Sequence, residues 1–364
     1  MKRAVAVLAL VLFVAGGVFG FLCLRNYLRP EVTENPIGTT VIEPDALPNT
    51  KVSIVGDISL ADNWSLMPVY DQRGQGVNGI LSERVLAQMR GSDLMVANSE
   101  FTVSERGTPI PGKAYTFRAN PSRLSIYDDM GVDLVTLANN HVYDFGAEAF
   151  GDMLDAFDTK GLPYIGAGRN LTDAKKAFYY NAPSGQTIAF VNASRAEKWG
   201  IDTPGATADS GGILLCYDTT EFVDAIKVAK QNADIVVAIV HWGTESSHAL
   251  EQVQIDTAKE YIDAGADMIV GGHAHTLQGI DFYNNKPIIY NLGDFIFNDQ
   301  DEMTAMFQFE LTPEGSFKYY FLVGRQANEY TDFLDGAERA ALIQQVESWS
   351  PNIQIAEDGE ILQK

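Results

Sequence analysis

The sequence predicts an α/β fold in which a mixed sheet is covered by helices, and three observations carry that prediction. From residue 51 onward, short apolar runs alternate with segments whose apolar residues recur at helical spacing, the pattern of a βαβ-type layered fold. Late in the chain the apolar runs follow one another across short turns, NNK and TPEG among them, which adds an antiparallel portion. The polar residues best able to bind a metal stand at the ends of the apolar runs, not within them. Composition agrees, since 46% hydrophobic and 20% charged residues describe an ordinary globular chain long enough to bury a sizeable core.

The elements follow in chain order. After Lys2 and Arg3, residues 4–24 (AVAVLALVLFVAGGVFGFLCL) carry no charge, and at ~1.5 Å per residue that run spans roughly the ~30 Å hydrocarbon core. Residues 1–29 are therefore expected to form an N-terminal transmembrane helix. No good A-x-A site follows it, and Leu22 ahead of Cys23 is too large for a lipoprotein signal, so an uncleaved anchor is favoured. Ala15-Gly16-Gly17 keeps the signal-peptidase alternative open. An N-terminal apolar segment ahead of a long soluble domain directs export, so the expected location is the cell membrane, single-pass, with the domain on the extracytoplasmic side. Residues 30–50, with prolines at 30, 36, 44 and 48, read as an extended linker.

The main domain is expected over 51–325. VSIVGD (52–57), DLMVAN (93–98) and VDLVTLA (132–138) read as strands, with YTFRA (115–119) as a further candidate. SERVLAQMR (82–90) reads as a helix capped by Ser82. A second helix carries Phe150, Leu154 and Phe157 on one face; Asp144 is its expected N-cap and Gly161 its stop. KKAFYY and TIAFVNA flank the turn NAPSGQ as a hairpin. A helix at 221–231, the strand DIVVAIV (234–240), a helix at 251–264 and the strand DMIV (267–270) come next, before the late strands GIDFY, PIIYNL, TAMFQFEL and FKYYFLV. Residues 326–364 form a C-terminal extension whose helix, after Asp335, places Leu342, Val346 and Trp349 on one face to pack back on the domain.

Charge and cysteine usage exclude several classes. Lysine plus arginine total 26 against 48 acidic residues, a net charge of −22, which disfavours nucleic acid and anionic lipid as nonspecific partners. Two cysteines, one of them inside the apolar segment, cannot make a disulfide framework.

Strand ends carry the chemistry. Asp57 ends the first strand, Asn98 and Glu100 the second, Asn139-Asn140-His141 the third, His241 ends DIVVAIV, and His273 and His275 end DMIV. In open α/β sheets these carboxyl ends form one rim where ligands bind, so residues far apart in sequence are expected to converge. Imidazole, carboxylate and amide oxygen together suit Mn, Fe or Zn better than Mg or Ca. Lys113 and Arg118 in GKAYTFRANP are candidates to hold an anionic substrate, against a plain reading as surface cations. Asn98 either satisfies loop backbone or touches metal, Glu245 either sits in a solvated turn or supports a ligand histidine, and His248 lies outside the rim.

The series GD (56–57), NSE (98–100), ANNHVYDFG (138–146), HWGTE (241–245), GGHAHTLQ (271–278) and YNLGDFIF (290–297) resembles the CapA-type capsule synthesis family, linked to bacterial poly-γ-glutamate synthesis. That family is similar to calcineurin-like metallophosphoesterases, which implies a four-layer α/β/β/α sandwich and one or two divalent metal ions. The resemblance implies Asp57 as the opening aspartate, Glu100 near the bridging position, Asn140, His241 and His273 on the second metal, and His275 on the first. It implies His141, oriented by Asp144, as the group that protonates or stabilises a leaving oxygen. Three positions depart from the pattern: Asp57-Ile58-Ser59 stands for Asp-x-His, ANSE for GDxxD, and NNH for GNH. The resemblance thus implies a membrane-anchored, metal-dependent hydrolase acting on a phosphoester or an anionic polymer. The alternative is a non-hydrolytic polymer-binding or export component within a capsule synthesis complex.

Overall fold

The computed structural model describes residues 47–196 and 203–364. The membrane segment read at 4–24 and linker residues 30–46 lie outside them; among the described residues no helix is long and apolar enough to cross a membrane. Residues 47–364 make one folding unit of mixed α/β type.

Two sheets organise that unit. At the centre of an eight-stranded sheet lies Thr50–Ile58, and Leu94–Ser99, Leu134–Thr136 and Tyr164–Ile165 add to it in parallel on one side. Glu302–Leu311, Phe317–Gln326 and Thr331–Phe333 add on the other side in antiparallel register, so the late strands do turn back on one another. The short strand Asp294–Ile296 pairs in parallel with the far end of Thr50–Ile58. In the six-stranded second sheet Thr187–Ser194, Ile235–Trp242, Met268–His273 and Lys286–Ile289 run parallel, with Phe178–Asn181 and Ile280–Tyr283 antiparallel at the edges.

Side-chain alternation assigns the faces. Val52 and Ile54 of the first sheet pack with Val237 and Ile239 of the second in one apolar cluster between the sheets. Val236, Ala238 and Val240 point the other way, onto Phe222, Ile226 and Tyr261 from the helices Thr220–Asn232 and Gln252–Ala264. On the outer face of the first sheet, Val55 and Ala97 meet Leu86 and Met89 of the helix Glu83–Arg90 and Met153, Leu154 and Phe157 of the helix Gly146–Lys160. Each large apolar side chain buried this way contributes ~1.5–3 kcal/mol relative to exposure, and it is this core that offsets the cost of the buried polar rim described below. Leu342, Ile343 and Val346 of the C-terminal helix Gly336–Ser348 are buried in the cluster between the sheets.

Two local expectations are corrected. Only Arg118–Ala119 of YTFRA forms a strand, pairing with Thr102–Val103. Side chains have taken over the rest of that backbone: Asn63 Nδ2 donates to the Thr116 carbonyl, and the Phe117 N–H donates to Asp144 Oδ2. Asp144 consequently does not cap its helix, which begins at Gly146 after Phe145 with no side-chain cap.

Candidate metal centre

The rim forms because parallel strands end together. Asp57 stands in register with Asn98 on one neighbour and Asp294 on the other. In the second sheet His241 is opposite Gly272, and Trp242 opposite His273. Two glycines permit the close approach. A Cβ on Gly56 would lie 1.9 Å from the Gly293 carbonyl oxygen, and one on Gly272 would lie 2.7 Å from Asp57 Oδ1.

The predicted rim residues converge. Asp57, Glu100, Asn140, His141, His241 and His273 are all buried, and His275 is partly so. Two sets have ligand atoms within 4.8 Å of one another: Glu100, His241 and His273 in one, and Asp57, His275 and Asp294 in the other. Asn98 joins the carboxylates, donating from Nδ2 to Asp57 Oδ1 and to Glu100 Oε2 at 2.8 Å each, while its Oδ1 accepts from Thr136 and Asn139. It holds the two acids in place instead of serving loop backbone. The His273 N–H donates to Asp57 Oδ2 at 2.9 Å, and His241 Nε2 lies 2.8 Å from Asn140 Oδ1. His273 and His275 adopt φ of +93° and +54°, a conformation costing ~1–3 kcal/mol at a non-glycine residue and typical of functional sites.

Burial sets the electrostatics. Removal from water, then the Glu100 charge, pushes the Asp57 carboxyl up to about 7; burial likewise raises Glu100 to about 8. Burial lowers the imidazoles of His241 and His141 to about 4 each, and holds His273 well below the ordinary range. At His275 burial also opposes the charged ring, but Asp294, Glu100 and Asp57 outweigh it and hold the imidazole well above its ordinary value. Apart from His275, whose ring the carboxylates favour in the protonated form, acids that resist ionisation stand beside imidazoles that resist protonation.

The remaining predicted residues divide. His141 Nδ1 is 2.8 Å from Asp144 Oδ2, the expected orienting contact. Lys113 is buried, with Nζ 2.7 Å from Asp144 Oδ1 and a further hydrogen bond to the Asn140 carbonyl. It supports the His141–Asp144 pair from beneath. Arg118 does not line the site: its guanidinium lies 4.3 Å over the Phe145 ring and donates to the Arg106 and Gly107 carbonyls. The expectation of Arg118 as a substrate cation is therefore corrected, because its donors are engaged with backbone and ring elsewhere. His248 accepts a bland role, with Nδ1 against the Leu277 carbonyl and its ring stacked 4.3 Å from Trp349. Asp294 was missed by sequence reasoning. Its signal was the GD of YNLGDFIF, a second strand-borne aspartate after glycine like Gly56-Asp57.

Above the rim opens a cleft of about 380 Å³ whose floor includes His141, His275 and Asp294. Trp64, Tyr115, Phe117 and Phe297 line it on one part, and Glu245, Gln300 and Glu302 on another.

A family model and several curated relatives point to one family. The family model described as "Bacterial capsule synthesis protein PGA_cap" matches residues 51–299. A PGA biosynthesis protein CapA of Bacillus subtilis (strain 168) is 32% identical over 73% of this chain and 69% of its own. A capsule biosynthesis protein CapA of Bacillus anthracis is 33% identical over 63% of this chain and 57% of its own. A probable polyglutamine synthesis accessory protein of Mycobacterium tuberculosis is 28% identical over 56% of each chain. The latter two relatives thus extend well beyond the part this chain spans.

Proposed function

The chain belongs to the bacterial capsule synthesis protein family, and from that premise and the buried rim we propose that it is a metal-dependent hydrolase of the phosphoesterase type. The observation that carries the reading is a set of buried polar atoms lacking hydrogen-bond partners: Glu100 Oε1, Asn140 Nδ2 and His273 Nδ1. Buried polar atoms are normally satisfied, and a carboxylate oxygen and an imidazole nitrogen left bare beside His241 fit a cation. Glu100, His241 and His273, with Asn140 beside them, would hold one divalent ion, and Asp57, His275 and Asp294 a second; Mn, Fe or Zn suit these donors. Such ions would supply Lewis acidity toward a phosphoryl oxygen and activation of water.

The chain's own residues do the rest. Asp144 fixes the Nδ1 side of His141 and leaves Nε2 for the cleft, in the neutral form that burial favours. The negative charge of a bound phosphate draws a proton onto Nε2, from which it passes to the leaving oxygen. Lys113 holds the Asp144 carboxylate in place through their ion pair, so the ring stays oriented. The two facing sheets, with helices on their outer faces, support the four-layer metallophosphoesterase-like sandwich that the resemblance implies.

The surroundings in this reading are the membrane, reached through the segment at 4–24, with the domain outside the cell and subunits of a capsule synthesis complex as partners. A second reading, a non-hydrolytic polymer-binding or export component, draws on Ser59, which occupies the place of the Asp-x-His histidine and is buried with an unpaired hydroxyl. Asp294, beside His275, supplies the donor that this substitution removes.

The test is elemental analysis of the purified full-length chain beside a His241→Ala/His273→Ala variant, with phosphodiester turnover measured under added Mn. Metal in the parent, absent from the variant, together with turnover is the expected result. Metal without turnover would shift the assignment to the second reading, and no metal in either protein would refute the centre.

A further inference from the structure

Resting on the hydrolase reading, we infer that the cleft beside the metal centre is a subsite for a sugar ring, so that the substrate class is a glycosyl phosphate ester and not a polyanionic chain lying along the cleft. A continuous aromatic wall runs from the surface to the floor. Tyr115, 59% exposed, meets Trp64 edge-on at 5.8 Å; Trp64 meets Phe117 at 5.1 Å; Phe117 lies 4.4 Å from the His141 ring and 5.3 Å from Phe297, which in turn is 4.9 Å from His275. Tyr115 and the half-buried Trp64 offer an apolar face to a ring that has one, and the buried Phe117 and Phe297 behind them connect that face to the two histidines of the floor.

The other cleft residues fix what that ring carries. Among the described residues, the side chains of Glu245, Gln300 and Glu302 make no hydrogen bond or ion pair, although they line the cleft. Two carboxylates and an amide are acceptors for hydroxyl donors, and the amide can donate in return. Of the basic groups described on this cleft, Lys113 is ion-paired with Asp144 and His275 with Asp294. Among the described residues, an anionic polymer extending past the metals would therefore meet Glu245 and Glu302 while the basic groups of the cleft are already engaged by carboxylates, and like charges in one cleft repel. A ligand with a single phosphate at the centre and hydroxyls beyond it satisfies both halves. A sugar's hydroxyl-bearing edge and apolar face match the acceptors and the aromatic wall together.

The experiment measures, on the Mn-loaded full-length chain, dissociation constants for inorganic phosphate, glucose 1-phosphate, phosphoethanolamine and a γ-linked glutamate oligomer by titration calorimetry. Glucose 1-phosphate is expected to bind at least roughly tenfold tighter than inorganic phosphate. In Tyr115→Ala that ratio falls roughly fivefold. In Glu302→Gln it changes as well, whereas a wall that merely shields the core would leave it fixed. Equal affinities for the two phosphates, or a ratio indifferent to both substitutions, overturns the subsite while the metal centre stands. Tighter binding of phosphoethanolamine or of the glutamate oligomer than of glucose 1-phosphate overturns the sugar assignment. Inorganic phosphate that binds no better to the parent than to His241→Ala/His273→Ala removes the hydrolase reading, and this inference with it.

Discussion

Stripped of metal, the two buried acids Asp57 and Glu100 should cost the domain stability as the solution becomes alkaline. They oppose the buried imidazoles of His241 and His141, whose lowered values of about 4 add stability as pH rises toward 6.5. In the fold burial raises Asp57 from 3.8 to about 7 and Glu100 from 4.5 to about 8. Because the folded values lie above the unfolded ones, the folded chain retains protons that the unfolded chain has released. The stability so conferred is fully present below about 4 and is lost as pH rises toward 7 and 8. A rise of about three units at ~1.4 kcal/mol each gives on the order of 4 kcal/mol for one carboxyl, and the coupling of the two acids keeps the pair from doubling that figure. Spread over the unfolding entropy of a domain this large, 4 kcal/mol corresponds to roughly 5–10 °C in Tm. The assay is thermal unfolding followed by circular dichroism in excess chelator at pH 5 and pH 8.5, for the parent and for Asp57→Asn/Glu100→Gln. The variant carries neither acid titration and keeps the histidines, so between pH 5 and pH 8.5 its stability should change more favourably than the parent's, by on the order of 4 kcal/mol. Added Mn at pH 8.5 should restore the parent alone, by about 4 kcal/mol at a thousandfold excess over Kd. Parallel pH profiles for parent and variant would refute the reasoning.

Three further outcomes follow from individual contacts. Asp294→Asn, which removes a carboxylate 2.7 Å from His275 Nδ1, should weaken binding of one metal equivalent by roughly 10–100-fold in calorimetric titration and leave the other. Lys113→Met leaves the Asp144 carboxylate buried without its cation, and should cost on the order of 3 kcal/mol in denaturant unfolding and lower kcat more than it raises KM. Arg118→Ala, despite the positive charge it removes, should leave kcat and KM for a phosphodiester unchanged within error, with about 1 kcal/mol of stability lost from the Phe145 contact.

Strand-end residues were legible because a parallel sheet gives position a meaning: a polar residue after VSIV or DIVVAIV has to arrive at the carboxyl rim whatever the connections between. Val236, Ala238 and Val240 alternate with Val237 and Ile239 as two buried faces, so that run reads as one strand from composition alone. Asp294 was less legible. Its strand is three residues long and exists only through pairing with Asp57 and Ile58, a contact no local pattern announces. Asp144 was misread for the opposite reason. An aspartate two residues ahead of a helical pattern has the local chemistry of a cap, and only the approach of His141, Lys113 and the Phe117 N–H claims both of its oxygens instead. Arg118 looked available because sequence shows a charge and not the ring that covers it.

The placement of Thr50–Ile58 between Leu94–Ser99 and Glu302–Leu311 carries a consequence in time. The first strand of the domain to be synthesised has its antiparallel neighbour some 250 residues later. Until residues 294–311 have appeared, Asp57 lacks Asp294 and Thr50–Ile58 shows an open edge. Non-local pairing of this kind is slow to form and exposes edges while it waits. The Asp57, His275 and Asp294 set is thus completed only late in synthesis, after every residue of the Glu100, His241 and His273 set has been made.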